Sequence, residues 1–548
     1  MLNLPAFNSL RGDLYGGLTA AVVALPLALA FGVSSGAGAV AGLYGAVCVG
    51  LFAALFGGTP AQVSGPTGPM TVVMAGVMTQ FMAADPERGP LLAFTVVMMA
   101  GALQILFGLL RLGNYITLVP FPVISGFMSG IGVIIILLQL PPLFGYPAAA
   151  GVADVVGQLP HYLAGPGWPA LLLGLAILAL QLCYPRRLAA LLPSPLAALL
   201  LGSLVAYWIL PEGSLAVIGE IPSGLPSLVL PQFSLDLLQQ MLVAALMLAA
   251  LGSIDSLLTS LVADNMSKVH HDSDRELIGQ GVGNVAAGLL GGLPGAGATM
   301  RTVVNIRAGG RSALSGVVHA LALLLIVLGA GPLAEQIPHA VLAGILVKVG
   351  LDIIDWNFLR RLHRAPLFVV GLMLLVLVLT VFVDLITAVV VGVFLANVIT
   401  VKRLSDTQLD AIRVYHRETE QAFQDLAPRE LEILRAAEGR LLLYQFNGPV
   451  SYAAARGIRR KLADSQGHEA LLLDFSRVPL IDVTTAMAIE ELLLEADQAG
   501  RQLYLVGMNP VVTDIMTRMR VLRLVPEGHC IESRAQALED ALQKLIGA

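Results

Sequence analysis

The sequence predicts a polytopic, all-α membrane domain followed by a smaller α/β domain, and three observations carry that prediction. Hydrophobic residues make up 56% and charged residues 13% of the 548-residue chain, and the mean hydropathy of +0.80 is more apolar than a water-soluble chain of this length tolerates. Asp, Glu, Lys and Arg are absent from Leu14 to Ala84 and again from Leu112 to Ala153, runs that far exceed the roughly 20 apolar residues of one spanning helix. Each run therefore holds several spans. They are apolar all round, whereas barrel strands alternate apolar and polar residues, so helices are the remaining solution. Beyond Arg403 the composition changes and charged residues become frequent.

Taken in order, apolar runs bounded by charged or Gly/Pro-rich breaks predict about fourteen helices, near 14–34, 38–57, 67–83, 91–110, 116–142, 167–184, 189–210, 237–264, 276–291, 298–306, 312–331, 338–354, 366–383 and 385–401. Two of them, starting near Thr67 and Ala298, are short and broken by Gly and Pro. Basic residues, among them Arg11, Arg111, Arg186, Arg187, Arg360 and Arg361, fall on alternate loops, and the opposite loops hold Asp85, Asp154, Glu212, Glu220 and Glu335. The positive-inside rule then places both termini in the cytoplasm. No early basic region with a short apolar stretch marks a cleavable signal in MLNLPAFNSLRGD, so the first span is expected to direct insertion.

An internal repeat organises these helices. VPFPVISGFMSGIGV (119–133) aligns without gaps on IPHAVLAGILVKVGL (337–351), matching Pro120 with Pro338, Gly126 with Gly344 and Gly132 with Gly350. With about seven helices per half, the second copy is inverted in the membrane, the 7+7 plan of many secondary transporters. The short helices near 67 and 298 are then partners, each with a Thr at its start (Thr67, Thr299) and a later Thr-Val-Val, although the two spacings differ by one residue.

Residues 1–403 form the expected membrane domain, 404–438 a linker or first helix, and 439–548 the soluble domain. In the last, strand-like RLLLYQFNGPV, EALLLDFSRV and RQLYLVGM alternate with helical stretches near 453–465, 484–499, 511–520 and 534–546. Cys48, Cys183 and Cys530 are in no metal or redox spacing and are expected as buried packing residues. A net charge of −5 without a basic patch argues against nucleic acid.

The chemistry concentrates at three places. Asp255 is the only charge between Asp236 and Asp264, and a mid-span carboxylate is costly unless something pairs with it. Thr259 follows at i+4 on the same helix face and adds a hydroxyl oxygen, a hard donor suited to a small cation or to a protonated acid. At the broken helices, GPTGPM (65–70) and GATMR (297–301), first-turn N–H groups without partners and the helix dipole suit an anion, while unwound carbonyls such as that of Gly297 suit a cation. Gln280 and Asn284, one turn apart, read as interhelical hydrogen-bonding residues, and Lys348 and Asp384 as residues near helix ends. No nucleophile–base pair, Walker loop or metal cluster points to an enzyme.

SGPTGPM, LGSIDSLLTSLVAD, ELIGQGVGN, GAGATMRTVVNI, RSALSGVVHA and VGLDIIDW, in that order, resemble the motifs of the sulfate permease (SulP) anion transporter family. The last hundred or so residues resemble its STAS domain. The resemblance implies a UraA-like fold of fourteen helices, a core domain (helices 1–4 and 8–11) that moves against a gate domain (helices 5–7 and 12–14), elevator-type alternating access and a homodimer in a bacterial inner membrane. Within the family the chain is similar to BicA-type sodium/bicarbonate symporters. That likeness implies sodium at Asp255, Thr259, the Gly297 and Ala298 backbone and Thr299, with bicarbonate near Thr67, Gly68, Ala298 and Thr299.

Arg301 departs from that branch, where glycine stands, and resembles sulfate- and dicarboxylate-type relatives. Two readings stand: a charge added to the anion site, or a structural arginine paired to Asp255 or snorkelling towards the cytoplasm. Two transport readings follow, sodium-dependent bicarbonate symport and proton-coupled uptake of sulfate or C4-dicarboxylates. An anion channel or a transport-dead sensor is a third class. In the STAS-like domain Val483 occupies the place of a phosphorylatable Ser, and Thr484 and Thr485 read as helix-capping residues.

Overall fold

A computed structural model describes residues 9–113, 120–149, 151–185, 188, 192–209, 211, 214–219, 228–329, 335–383, 385–415, 425–451 and 467–547. The helix expected near 453–465, and Arg186, Arg187, Glu212, Glu220 and Asp384, lie outside the described residues. The chain divides into two compact units, Met1–Val393 and Phe394–Ala548.

Each of the expected windows falls on a helix: α1 (Leu10–Ser34), α2 (Ala39–Phe56), α3 (Gly68–Ala84), α4 (Gly89–Leu109), α5 (Phe121–Leu143), α6 (Trp168–Leu182), α7 (Ser194–Ile209), α8 (Leu238–Ser267), α9 (Ser273–Leu289), α10 (Thr299–Arg307), α11 (Ala313–Gly329), α12 (His339–Ile353), α13 (Leu367–Phe382) and α14 (Leu385–Asp410). Helices α3 to α6 carry Pro in the first turn, where no N–H is needed and the fixed φ favours entry. Among the described residues, six helices are individually long and apolar enough to cross a bilayer. A further helix, Val152–Ala164, was not expected. Asp154, Gln158 and His161 interrupt its hydropathy while Val155 and Tyr162 are buried, so it is amphipathic, and it bends by 112° into α6.

The helices pack in two groups: α9 with α4 and α2, α11 with α2 and α1, and α8 with α4 form one, while α5 with α12 and α13, and α12 with α6, form the other. The helices of the first group all belong to the expected core and those of the second to the expected gate. Between α2 and α3 lies β1 (Ser64–Gly65), and before α10 lies β2 (Ala296–Gly297), paired antiparallel as Ser64 with Gly297 and Gly65 with Ala296. The N–H of Thr71 closes on the Thr67 carbonyl and that of Thr302 on the Ala298 carbonyl, so Thr67 matches Ala298, not Thr299. This accounts for the one-residue mismatch in the sequence repeat. Gly65 thus pairs with its own counterpart, Ala296. In the gate Gly132 does the same: a Cβ on Gly132 would lie 2.6 Å from the Gly350 carbonyl oxygen, and one on Gly350 would lie 2.8 Å from that of Gly132. Such reciprocity is what a two-fold relation between copies produces.

The second unit is a five-stranded sheet of order β3 (Arg413–Tyr415), β4 (Leu441–Asn447), β5 (Ala470–Arg477), β6 (Gln502–Val506), β7 (Cys530–Ile531), parallel except for β3 against β4. Strands β4 and β5 are buried on both faces, which is why they read as unbroken apolar runs. Helices α15 (Pro428–Ala436), α16 (Val483–Gln498), α17 (Pro510–Arg518) and α18 (Arg534–Gly547) complete the unit. The segment 404–438 is more than a linker: β3 and α15 belong to this packed unit, and their charged, broken pattern hid them. Asp482, not Thr484 or Thr485, caps α16 by accepting the Thr485 N–H at 2.8 Å. Cys48 is buried, but Cys183 and Cys530 are exposed. The first lies at the C-terminal end of α6 and the second on a two-residue edge strand, neither of which offers a core.

Arg534 forks onto Glu430, with both contacts at 2.8 Å, and reaches Asp474 at 3.2 Å, tying α18 to α15 and β5. Burial pushes the Glu430 carboxyl up, but Arg534 and the Ala427 N–H outweigh it and hold the group below its ordinary 4.5. A depressed folded value means stabilisation that is complete above the unfolded value and lost as pH falls through the folded one. Hydrogen exchange is expected to show α18 protected at neutral pH and progressively deprotected as pH is taken below 4.5. Arg534→Ala should remove that protection at neutral pH.

Candidate functional site

The site begins with two chain breaks brought face to face. α3 and α10 each start directly after a strand of the β1–β2 pair, and neither N-cap residue, Thr67 or Ala298, supplies a side-chain cap. Their first-turn N–H groups remain without intrahelical partners, and both helix dipoles add positive potential there. Glycine makes the approach possible: a Cβ on Gly297 would lie 2.3 Å from Gln62 Nε2, and Gly65 has φ 153° with Arg301 Nη1 only 2.6 Å from where its Cβ would be. Thr67 stands at the α3 start with its hydroxyl unpartnered, and Gly68 is the first helical residue. The Ala298 N–H is committed to the Val63 carbonyl at 2.9 Å, so the open donors of this half lie at Thr299 and beyond.

Oxygen atoms gather on the α8 side. The Thr259 hydroxyl donates to the Gly297 carbonyl at 2.9 Å and lies 2.7 Å from the Thr299 hydroxyl. Asp255, one turn earlier on the same face, is buried, and its Oδ2 has no hydrogen-bond partner. The Thr67 hydroxyl faces this carboxylate. An apolar cavity of about 10 Å³, walled by Leu251, Ile254, Leu258, Val123 and Phe127, adjoins Asp255 on the side away from these oxygens' own contacts. A buried carboxylate oxygen, two hydroxyls and a carbonyl form a hard-donor set that a small cation satisfies. Of the sequence-predicted cation residues, Thr259, Gly297 and Thr299 are in contact with one another, and Asp255 stands one turn earlier on α8.

Arg301 is 2% exposed, so it does not snorkel. Its Nη2 donates to the Pro66 carbonyl of the opposite half, and Nη1 has no partner. It feels the charge of Asp255, yet among the described residues the two make no direct ion pair. A guanidinium at the positive end of α10 thus crosses between the halves with one donor edge open.

In the frame that holds these parts, Gln280 and Asn284 make the interhelical hydrogen bonds expected from the sequence, whereas Glu276 was missed. Glu276, 1% exposed, accepts from the Gly58 and Thr59 N–H groups, both at 2.9 Å, from Gln62 at 2.8 Å and from Gln280 at 2.7 Å. Gln280 also reaches Ser64 of β1 at 2.6 Å, and Asn284 brackets Gly295 through its N–H and carbonyl at 2.8 and 2.9 Å. Glu276, Gln280 and Asn284 recur every four residues, a polar stripe on one face of α9 that was available as a signal. Asp13 accepts the Arg311 and Ser312 N–H groups at 2.7 and 2.9 Å and so anchors the turn into α11. His319 is fully buried in α11 with neither ring nitrogen partnered.

The sequence profile of the Sulfate permease family matches residues 10–378. The chain belongs to the sulfate permease family. Its STAS domain profile matches residues 433–537. The chain is 48% identical over 540 residues to the bicarbonate transporter BicA of Synechocystis, covering 98% of this chain and 95% of that one. Among solved structures, the transmembrane domain of a cyanobacterial bicarbonate transporter BicA is 53% identical with a TM-score of 0.67, covering 71% of this chain and 99% of that one. The murine solute carrier 26 family member A9 anion transporter is 19% identical with a TM-score of 0.82, covering 98% of this chain and 92% of that one, a likeness of fold. This sulfate permease family member is a multi-pass membrane anion transporter and not an enzyme.

Proposed function

We propose that the chain is a sodium-dependent bicarbonate symporter of a bacterial cytoplasmic membrane, with both termini cytoplasmic, working as a homodimer by elevator-type alternating access. The observation that carries this reading is the convergence of Thr259, the Gly297 carbonyl and Thr299 beside the unpartnered oxygen of Asp255. The likeness to proteins named bicarbonate transporters supports the choice of anion.

Charge couples the two cargoes. Asp255 repels an anion seated at Thr67, Gly68 and Thr299: two unit charges about 5 Å apart at an effective dielectric of about 20 interact by roughly 3 kcal/mol, on the order of 100-fold in affinity. Sodium at Asp255 cancels that repulsion and leaves Arg301 uncompensated, so anion binding follows cation binding. The core then carries both past the gate.

Arg301 favours a second reading, proton-coupled transport of sulfate or C4-dicarboxylates, because an open guanidinium edge suits a second negative charge. Uptake of labelled bicarbonate, sulfate and succinate into proteoliposomes separates the two. Bicarbonate uptake driven by an inward sodium gradient is expected; sodium-independent sulfate or succinate uptake without a bicarbonate signal overturns the first reading.

A further inference from the structure

Resting on that placement of the anion, we propose that Ile135 and Ile353, contributed by the two copies of the gate, form a size filter over the anion site that admits compact monovalent anions and rejects longer carboxylates. A Cβ on Gly68 would lie 2.8 Å from Ile135 Cδ1 and 2.8 Å from Ile353 Cδ1, and these are its neighbours from outside the adjoining α3 backbone. Both methyl groups therefore converge on the first helical residue of α3, beside Thr67. The two isoleucines are counterparts, each three residues beyond the Gly132–Gly350 crossing, where the α5 and α12 backbones touch. Both therefore meet Gly68 as a pair.

Chemistry and size then act together at this spot. The open donors lie on the core side, at the starts of α3 and α10 and at Arg301, whereas the gate side over Gly68 offers only hydrocarbon. An anion whose charged oxygens face the core presents its remaining atoms to the two isoleucines. One added methylene in such an apolar wall changes discrimination by about 10-fold or more. Bicarbonate ends where that wall begins, and a C4-dicarboxylate does not.

The test uses the full chain in proteoliposomes, with formate, acetate and propionate as competitors of sodium-driven bicarbonate uptake. In Ile135→Ala and in Ile353→Ala, inhibition by propionate relative to formate is expected to strengthen about 10-fold, with a smaller shift in the same direction for the Val variants, which keep the core filled. Leu143→Ala, a buried cavity two turns further along the same helix, where the side chain packs on Gly174, is expected to leave the propionate-to-formate ratio as it was. An unchanged ratio in folded Ala or Val variants at both positions overturns the filter. If Thr67→Val and Arg301→Gln still raise the KM for bicarbonate in that case, the anion site stands without it; if they do not, the site itself falls.

Discussion

Asp255→Asn is expected to abolish sodium dependence, lowering sodium-driven uptake on the order of 100-fold while the protein still folds and inserts. Asn keeps the shape of Asp and can still face the Thr67 hydroxyl. The lost property is charge, and a neutral amide holds a cation far more weakly than a carboxylate. Desolvation argues in the same direction, since a carboxylate at mid-membrane depth costs about 3 kcal/mol, so the variant should be at least as stable as the parent. Sodium titration of uptake, with thermal unfolding in detergent alongside, checks both halves. Full sodium-driven uptake by Asp255→Asn would sink the cation assignment.

Arg301 carries the second large effect, and its two halves have opposite signs. Arg301→Gln removes a positive charge that the anion needs and that competes with sodium at Asp255. The KM for the anion is expected to rise 10- to 100-fold, on the order of 1.4 to 2.8 kcal/mol, while the concentration of sodium giving half-maximal uptake falls. Arg301→Lys should be intermediate, because it keeps the charge but loses the fork that spans Pro66 and the open edge. A purely structural arginine would instead weaken both cargoes together. Uptake measured over a grid of sodium and bicarbonate concentrations tells these outcomes apart.

Where a residue breaks a uniform background, the sequence was informative. Fourteen apolar windows locate helices because lipid-facing segments admit so few charges, and Asp255 with Thr259 stood out as a lone carboxylate and its i+4 hydroxyl. Glu276 did not, since it follows Asp272, Asp274 and Arg275 and so resembled the end of a loop; its four donors come from segments roughly two hundred residues away or one turn along. The direction of Arg301 was equally hidden. Spacing places it one turn into α10, but only the antiparallel meeting of β1 and β2 brings the Pro66 carbonyl within its reach. Edge strand β3 was lost for a different reason, being three residues long and paired on one side only.

The pairing of Gly65 with Ala296 and of Gly132 with Gly350 has an energetic consequence. In a cycle of alternating access, exchanging the roles of two inverted copies converts one end state into the other. Identical copies would therefore leave the two end states equally populated, and any resting bias is written only where the copies differ. By the register that matches Thr71 with Thr302, the counterpart of Arg301 is Met70. One copy thus brings a buried cation to the centre and the other a thioether, one of the differences between the copies, with Thr67 against Ala298 and Gly65 against Ala296, on which such a bias would rest.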